Sequence, residues 1–326
     1  MRAITVPTPG GPEALVVSEL PEPVPGPNEV VIDVAAAGVN RADVNQRQGH
    51  YPSPPGAPTW PGLEVSGTIV STGEHVTGAS VGDYVVALLP GGGYADRVAV
   101  DAGLVLPMPQ GVDLVLAAGL PEAVATVWSN VFMSAGLKPG ETLLVHGGSS
   151  GVGSIAIQLA AALGSTVYAT AGSPEKVAFC EELGAARGID YRSEDFVDVI
   201  KTETDGRGVD VVLDLVAGDY LARDVEALAV GGRIMVIASM GGSEATIDIG
   251  ALMGKRGRIW GTTLRARPLE ERREIMASVR ENVWPLIESG AVRPILDSVY
   301  AIENAGAAHK RMESSKHLGK ILLAVR

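Results

Sequence analysis

Cysteine is almost missing from these 326 residues: Cys180 stands alone, which excludes a disulfide framework and any cysteine-based metal cluster. It lies in the amphipathic stretch Glu175–Leu183, where a lone thiol reads as a buried, inert packing group. Positive charge is scarce too. Lys and Arg number 26 against 38 Asp and Glu, a net charge of −12, and this argues against a general nucleic-acid partner, which needs clustered cations. A local basic pocket is compatible with that total. The five histidines, His50, His75, His146, His309 and His317, show no metal-ligand spacing and read as surface or structural residues. The start, M-R-A-I-T-V-P, has neither an export pattern nor an arginine-rich leader, so a cytoplasmic location is expected. No run of about 18 or more uncharged apolar residues occurs, so no membrane-spanning segment is expected. Internal repeats and low-complexity tracts are missing as well.

What is present fits a globular protein with substantial cores: 46% apolar and 20% charged residues, over a length sufficient for two domains. Up to about residue 120 the chain is rich in Val, Gly and Pro, with short apolar runs at Glu29–Ala35, Gly67–Ser71, Tyr84–Leu88 and Tyr94–Val100. Such spacing predicts a compact all-β barrel. A helix is expected over Glu122–Ala135, opened by Pro121 and an acid and stopped by Gly136. From Glu141 strands and helices alternate. Strands are predicted at Thr142–His146, Thr166–Thr170, Arg187–Ile189, Val209–Leu213, Arg233–Ala238 and Arg258–Thr263. Helical crossovers between them give an α/β, doubly wound, parallel six-stranded sheet of Rossmann type. Beyond Leu264, a helix over Leu269–Glu288, a run at Pro294–Val299, a helix at Glu303–Glu313 and a strand at Lys320–Ala324 are too few for a third domain. They are expected to return and complete the first. The division is therefore 1–121, 122–264 and 265–326.

The most informative stretch is T-L-L-V-H-G-G-S-S-G-V-G, followed by an Ala/Leu-rich helix and a second apolar run ending in T-A-G-S-P-E-K. Gly148, Gly151 and Gly153 fall where a dinucleotide turn has its first glycine, a small position and its last glycine. Ser150 stands at the middle glycine position, and the helix N-terminus offers N–H groups to a pyrophosphate. An acid closing the second strand would hold the ribose hydroxyls of NAD. Here Ser173 and Lys176 stand there instead, with Tyr191 just past the third strand, which favours the extra phosphate of NADP(H). Ser173 also reads as a helix N-cap with Lys176 exposed, and the two roles are compatible. The letters match a short-chain dehydrogenase turn through Gly147, Gly151 and Gly153, but about 140 residues precede it and no tyrosine has a lysine four residues later. That reading fails.

The blocks N-R-A-D-V-N-Q-R-Q-G-H-Y-P (Asn40–Pro52), P-G-L-E-V-S-G (Pro61–Gly67), A-L-L-P-G-G-G (Ala87–Gly93), L-P-E-A (Leu120–Ala123), the glycine turn, M-G-G (Met240–Gly242), L-R-A-R (Leu264–Arg267) and H-L-G-K-I-L-L carry a resemblance over essentially the whole chain. It resembles the zinc-free quinone oxidoreductase branch of the medium-chain dehydrogenase/reductase superfamily, most closely the p53-inducible group. The resemblance implies a GroES-like β-barrel catalytic domain beside the Rossmann domain, and a homodimer joined along the last Rossmann strand. Asn40 and Leu63 stand where zinc-dependent relatives have a cysteine and a histidine, and the leftover acid Glu64 makes an implausible metal site. A quinone or conjugated enone, which delocalises the developing charge, is then a better hydride acceptor than a simple alcohol.

The same resemblance implies roles. Asn40 and Thr126 are expected beside the nicotinamide ribose or ring. Ser149, Ser150, Gly151 and Val152 are expected at the pyrophosphate, and Ser173, Lys176 and Tyr191 at the 2′-phosphate. Met240, Gly241 and Gly242, then Leu264 and Arg265, are expected along the nicotinamide half. Tyr51 is the candidate for substrate contact, by hydrogen bond or by stacking, against the alternative that it merely closes its loop. Arg41 and Asp43 are expected to pair and orient that loop, and Glu64 to be structural. No side-chain proton donor stands out, so protonation is assigned to water. The functional readings are an NADPH-dependent quinone reductase, a 2-alkenal double-bond reductase on the same scaffold, and a non-catalytic NADPH-binding sensor.

Overall fold

The structure is a computed structural model covering residues 1–326. The chain divides into two compact units: 1–125 with 265–289 and 294–326, and 126–264 with 290–293.

In the second unit six parallel strands form one sheet: β1 (Thr142–Val145), β2 (Thr166–Ala171), β3 (Arg187–Asp190), β4 (Val209–Asp214), β5 (Leu228–Val236) and β6 (Arg258–Gly261). Their order is β3-β2-β1-β4-β5-β6, with the reversal between β1 and β4. That is the crevice where doubly wound sheets take nucleotides. Helices α1 (Gly151–Ala162), α2 (Pro174–Glu182), α3 (Phe196–Glu203), α4 (Tyr220–Ala227) and α5 (Ile249–Lys255) connect the strands. The apolar runs form strands because every residue of β1 is buried, as are Val211, Val212 and Leu213 of β4. Burial on both faces selects continuous rather than alternating hydrophobics. Strand β5 begins at Leu228, five residues before the predicted start, because the chain around Gly231 and Gly232 is carried within the strand as a bulge. Val209 pairs with Leu228, and the next pair joins Val211 to Arg233.

In the first unit the 11-residue strand Glu29–Val39 is the organiser. It pairs antiparallel with Glu64–Thr72, with Arg97–Asp101 and with Lys320–Ala324. Register shifts at Val31/Ile32 and Val34/Ala36 bend it enough to serve several partners. Tyr84–Leu88, Val105–Pro107 and Leu296–Ala301 complete a seven-stranded sheet. The expected helix over Leu269–Glu288 is two, Leu269–Asn282 and Trp284–Glu288. Pro285 lacks the N–H to continue the first and sits well in the opening turn of the second.

One helical stretch, Leu114–Ser134, is long and apolar enough by composition to cross a membrane, with a mean hydropathy of 1.3. Its only charged residue is Glu122, and 78% of its most apolar window is buried inside the fold, as in the core helix of a globular protein.

Candidate active site

The nucleotide turn lies between β1 and α1. Gly147 takes φ +66, a conformation that costs a side-chain-bearing residue about 1–2 kcal/mol. Gly153 is required for a different reason. A Cβ there would lie 2.4 Å from the Gly147 carbonyl oxygen and 2.7 Å from Gly148 Cα, so only glycine lets helix and turn approach this closely. Ser150 is the N-cap, its hydroxyl accepting from Gly153 N at 2.9 Å. Gly151 and Val152 occupy the first two helical positions, where N–H groups have no intrahelical acceptor. These groups, with the dipole of a 12-residue helix, are suited to an anion. Ser149 is buried within the turn. Beneath it His146 is held between Thr170 Oγ1 (3.0 Å) and Asp224 Oδ1 (2.7 Å), a structural role.

At the end of β2, Ser173 caps α2 by accepting from Lys176 N at 3.3 Å. The Lys176 side chain is partly buried. Tyr191 lies over Gly172, where a Cβ would meet the phenol oxygen at 2.4 Å, so the missing side chain at Gly172 makes room for this ring beside Ser173. Ser173, Lys176 and Tyr191 are thus on one loop cluster with no acid at the strand end. The residues present fit a phosphorylated dinucleotide: a cradle that a Cβ would fill, free helical N–H groups, and hydroxyls with a cation at the ribose position. Met240–Gly242 runs beside the extension of β4, with Gly241 N donating to Val216 O at 2.7 Å and Gly242 bridging to Ala217. Thr126 and Leu264 are buried in the same unit. Cys180 is buried, and burial pushes its thiol up to about 12.

The remaining expected residues, Asn40, Tyr51 and Arg265, belong to the first unit. Asn40 is 8% exposed, and its amide is bound at both ends. Nδ2 donates to Glu64 Oε1 (2.8 Å), and Oδ1 accepts from Lys320 Nζ (2.7 Å). Lys320 also donates to Glu64 at 2.5 Å. Glu64 lies over Gly38, whose Cβ would come within 2.6 Å of the carboxyl carbon. The ammonium of Lys320 occupies donors that would otherwise be open to a cation, and no group of three or more His, Cys, Asp or Glu is placed to hold a metal.

Arg41 and Asp43 do not pair as expected. Two positions apart on a helix, they face different ways. Arg41 donates to Met312 O at 2.9 Å. Asp43, fully buried, accepts from Asn40 N (2.8 Å), Gly62 N (2.9 Å) and Tyr94 Oη (3.2 Å). Burial raises its carboxyl to about 6 despite those bonds. Behind Tyr94, His309 Nε2 lies 3.2 Å from the phenol oxygen, and Arg47 is 3.5 Å from its Nδ1. Burial, then the cations of Arg47 and Arg41, lower His309 to about 3. The ring is neutral at physiological pH.

Arg265 is grouped with Tyr51. Nε donates to Pro90 O (2.6 Å) and Nη2 to Ser53 Oγ (2.8 Å), and the guanidinium sits 5.2 Å from the Tyr51 ring centre. Burial lowers the Arg265 pKa. Two residues of this unit escape sequence reasoning. Lys320 carries one signal, a cation opening the otherwise apolar strand K-I-L-L-A. Glu122 has its backbone N–H bound to Glu64 Oε2 at 2.9 Å. Burial first, and then the charge of Glu64, push its carboxyl up to about 8.

A nucleotide-type α/β unit and an antiparallel strand-rich unit in one chain are the two halves of a medium-chain dehydrogenase/reductase. Family models agree: an alcohol dehydrogenase GroES-like domain matches residues 26–110, and a zinc-binding dehydrogenase domain matches 151–281. The quinone oxidoreductase of Rattus norvegicus is 35% identical over 99% of this chain and 97% of its own length. The Escherichia coli quinone oxidoreductase complexed with NADPH superposes with a TM-score of 0.89 at 29% identity, covering 99% of this chain and 100% of that one. The CurK enoyl reductase gives 0.86 at 28% identity, covering 99% and 98%. The chain belongs to the quinone oxidoreductase family of that superfamily.

Proposed function

We propose that this protein is an NADPH-dependent reductase of quinones and related enones that works without a metal. The observation that carries the reading is the end of β2, where Tyr191 lies over a side-chain-free Gly172 and Ser173 caps the helix that carries Lys176. Bound there, NADPH would supply a hydride. The chain's own residues do the rest. Gly151 and Val152 N–H groups hold the pyrophosphate, Ser150 keeps the helix end in register, and Lys176 balances the 2′-phosphate. Asn40, with its amide locked by Glu64 and Lys320, presents a fixed dipole. Tyr51, steadied by Arg265, offers a phenol to the acceptor oxygen. The Lys320 ammonium among the Asn40 and Glu64 oxygens supports a metal-independent reaction, since a second cation there would be repelled.

The similarity to an enoyl reductase favours a second reading, reduction of the carbon–carbon double bond of 2-alkenals. We further propose a homodimer formed by pairing of β6, an edge strand whose Trp260 is 38% exposed. Loss of dihydronicotinamide absorbance, measured with a quinone panel and an enal panel, tests these readings. Quinone turnover with NADPH supports the first and enal turnover alone the second. Turnover of neither panel leaves a nucleotide-binding protein.

A further inference from the structure

His146 follows β1 at the strand-order reversal, its backbone N–H donating to Leu213 O of β4 at 3.1 Å. Its fully buried ring spans from the end of β2 to α4, with Nδ1 3.0 Å from Thr170 Oγ1 and Nε2 2.7 Å from Asp224 Oδ1. Phe196 and Tyr220 pack against the ring edge to face, at 4.8 and 4.9 Å between centres, and fix its plane. Thr170 joins this ring to the nucleotide turn. Its hydroxyl oxygen accepts from Gly147 N at 3.3 Å and its carbonyl from Gly148 N at 2.9 Å, so one residue engages the first two glycine N–H groups of the turn. Helix α1 rests on those glycines, since a Cβ on Gly153 would not fit against them. A shift of Gly147 therefore moves Gly151 and Val152, whose N–H groups are assigned above to the pyrophosphate.

The directions of these hydrogen bonds follow from counting donors and acceptors. A backbone N–H can only donate, so Thr170 Oγ1 accepts from Gly147. Thr170 is 1% exposed, and the acceptor for its own hydroxyl proton is Nδ1 of His146. Nδ1 then carries no proton, and Nε2–H donates to Asp224. That carboxyl depends on the ring, since its Oδ2 is buried without a partner. Burial raises it to about 6, which leaves it an acceptor at neutral pH. A proton on Nδ1 would instead make Thr170 Oγ1 accept twice and strand its hydroxyl proton in the core, which is costly. We propose that His146, as the neutral Nε2–H tautomer, is a positioning residue for coenzyme binding. By taking the Thr170 hydroxyl proton it aims a lone pair of that oxygen at Gly147 N–H, and so sets the turn that receives the pyrophosphate. This deepens the NADPH reading above and rests on it. The pyrophosphate is common to both coenzymes, so the effect is equal for NADPH and NADH, in contrast to that of Lys176.

The test is calorimetric titration of NADPH and NADH into wild type, Thr170→Val, Thr170→Ser and His146→Gln at neutral pH, with thermal midpoints recorded alongside. Nitrogen NMR of the labelled histidines, with the His146 signals assigned by their change in Thr170→Val, reads the tautomer in wild type. Thr170→Val keeps the shape and loses the hydroxyl. It should weaken both coenzymes by one common factor of about tenfold, the worth of a buried hydrogen bond. Thr170→Ser restores the hydroxyl and should bind within about twofold of wild type. His146→Gln brings an amide donor toward Asp224 and no acceptor at the Nδ1 position, and should match Thr170→Val. The ring signals should be those of a protonated Nε2 and a bare Nδ1. A role in stability alone would lower the midpoint of Thr170→Val and leave the affinity of the folded protein unaltered, and that result overturns the proposal. So does a Thr170→Ser as weak as Thr170→Val, a loss confined to NADPH, or a ring protonated on Nδ1. The Thr170 pair and the wild-type spectrum decide the question even where His146→Gln does not fold. A wild type that binds neither coenzyme defeats this proposal and the NADPH reading together. Coenzyme binding that Thr170→Val leaves unchanged defeats this one alone.

Discussion

The buried pair Lys320–Glu64 allows a sharp energetic test. Lys320 is 4% exposed and Glu64 fully buried, and the ammonium serves Glu64 (2.5 Å), Asn40 (2.7 Å) and Val39 O (3.4 Å). Lys320→Met keeps the aliphatic stem but strands a carboxylate in the core. Breaking such a pair from one side costs about 3–5 kcal/mol, most of it the penalty for the charge left behind. A domain of this size shifts by about 2–4 °C per kcal/mol, so the thermal midpoint should fall by on the order of 10 °C. The loss should persist at high salt, because ions screen a buried pair poorly. Adding Glu64→Gln to Lys320→Met removes the stranded charge and should restore most of the midpoint. Scanning calorimetry on the four proteins of the cycle reads both effects. A fall of under about 2 °C for Lys320→Met, or a double variant less stable than Lys320→Met, would refute the reasoning.

Other outcomes follow from the same geometry. Gly153→Ala drives a methyl into the turn and should cost about 1–3 kcal/mol of stability together with nucleotide binding. Gly147→Ala has open space for its methyl and should cost only the backbone strain of about 1–2 kcal/mol; equal losses in a denaturation series would count against the packing account. Lys176→Ala should weaken NADPH by about 1.5–3 kcal/mol and leave NADH nearly unchanged, and equal losses in calorimetric titration would remove Lys176 from the 2′-phosphate. His309, at about 3 in the fold against 6.5 normally, contributes stability that is present above 6.5 and is lost as the pH falls toward 3. Wild type should therefore lose stability relative to His309→Gln on acidification, and a difference in midpoint that stays constant with pH contradicts a buried neutral ring.

The doubly wound sheet is legible in the chain because its strands are buried on both faces. Runs such as V-D-V-V-L-D and R-I-M-V have no alternation to confuse with a half-exposed strand, and the glycine turn marks the first crossover. The misreadings are local. Strand β5 starts before the expected Arg233 because it carries a bulge around Gly231 and Gly232, and Pro285 divides the helix expected over Leu269–Glu288. The first unit's polar cluster is much harder to read. Lys320 and Glu64 are 256 residues apart, and nothing in the spacing of either announces the other. Asn40 and Tyr51 are visible through the motif that contains them. What holds Asn40 and what lies against Tyr51, namely Glu64, Lys320 and Arg265, comes from elsewhere along the chain, and only the sheet pairing of Lys320–Ala324 with Glu29–Val39 brings part of it together.

The central proposal is that this chain reduces quinones with NADPH and needs no metal to do so. The most direct measurement is a single-turnover mix, without oxygen, of chelator-dialysed protein, NADPH and a quinone, following dihydronicotinamide loss and quinol formation together. The account predicts one quinol per NADPH consumed, unaffected by chelation and much slower with NADH. No quinol, or quinol only after zinc is restored, would contradict it.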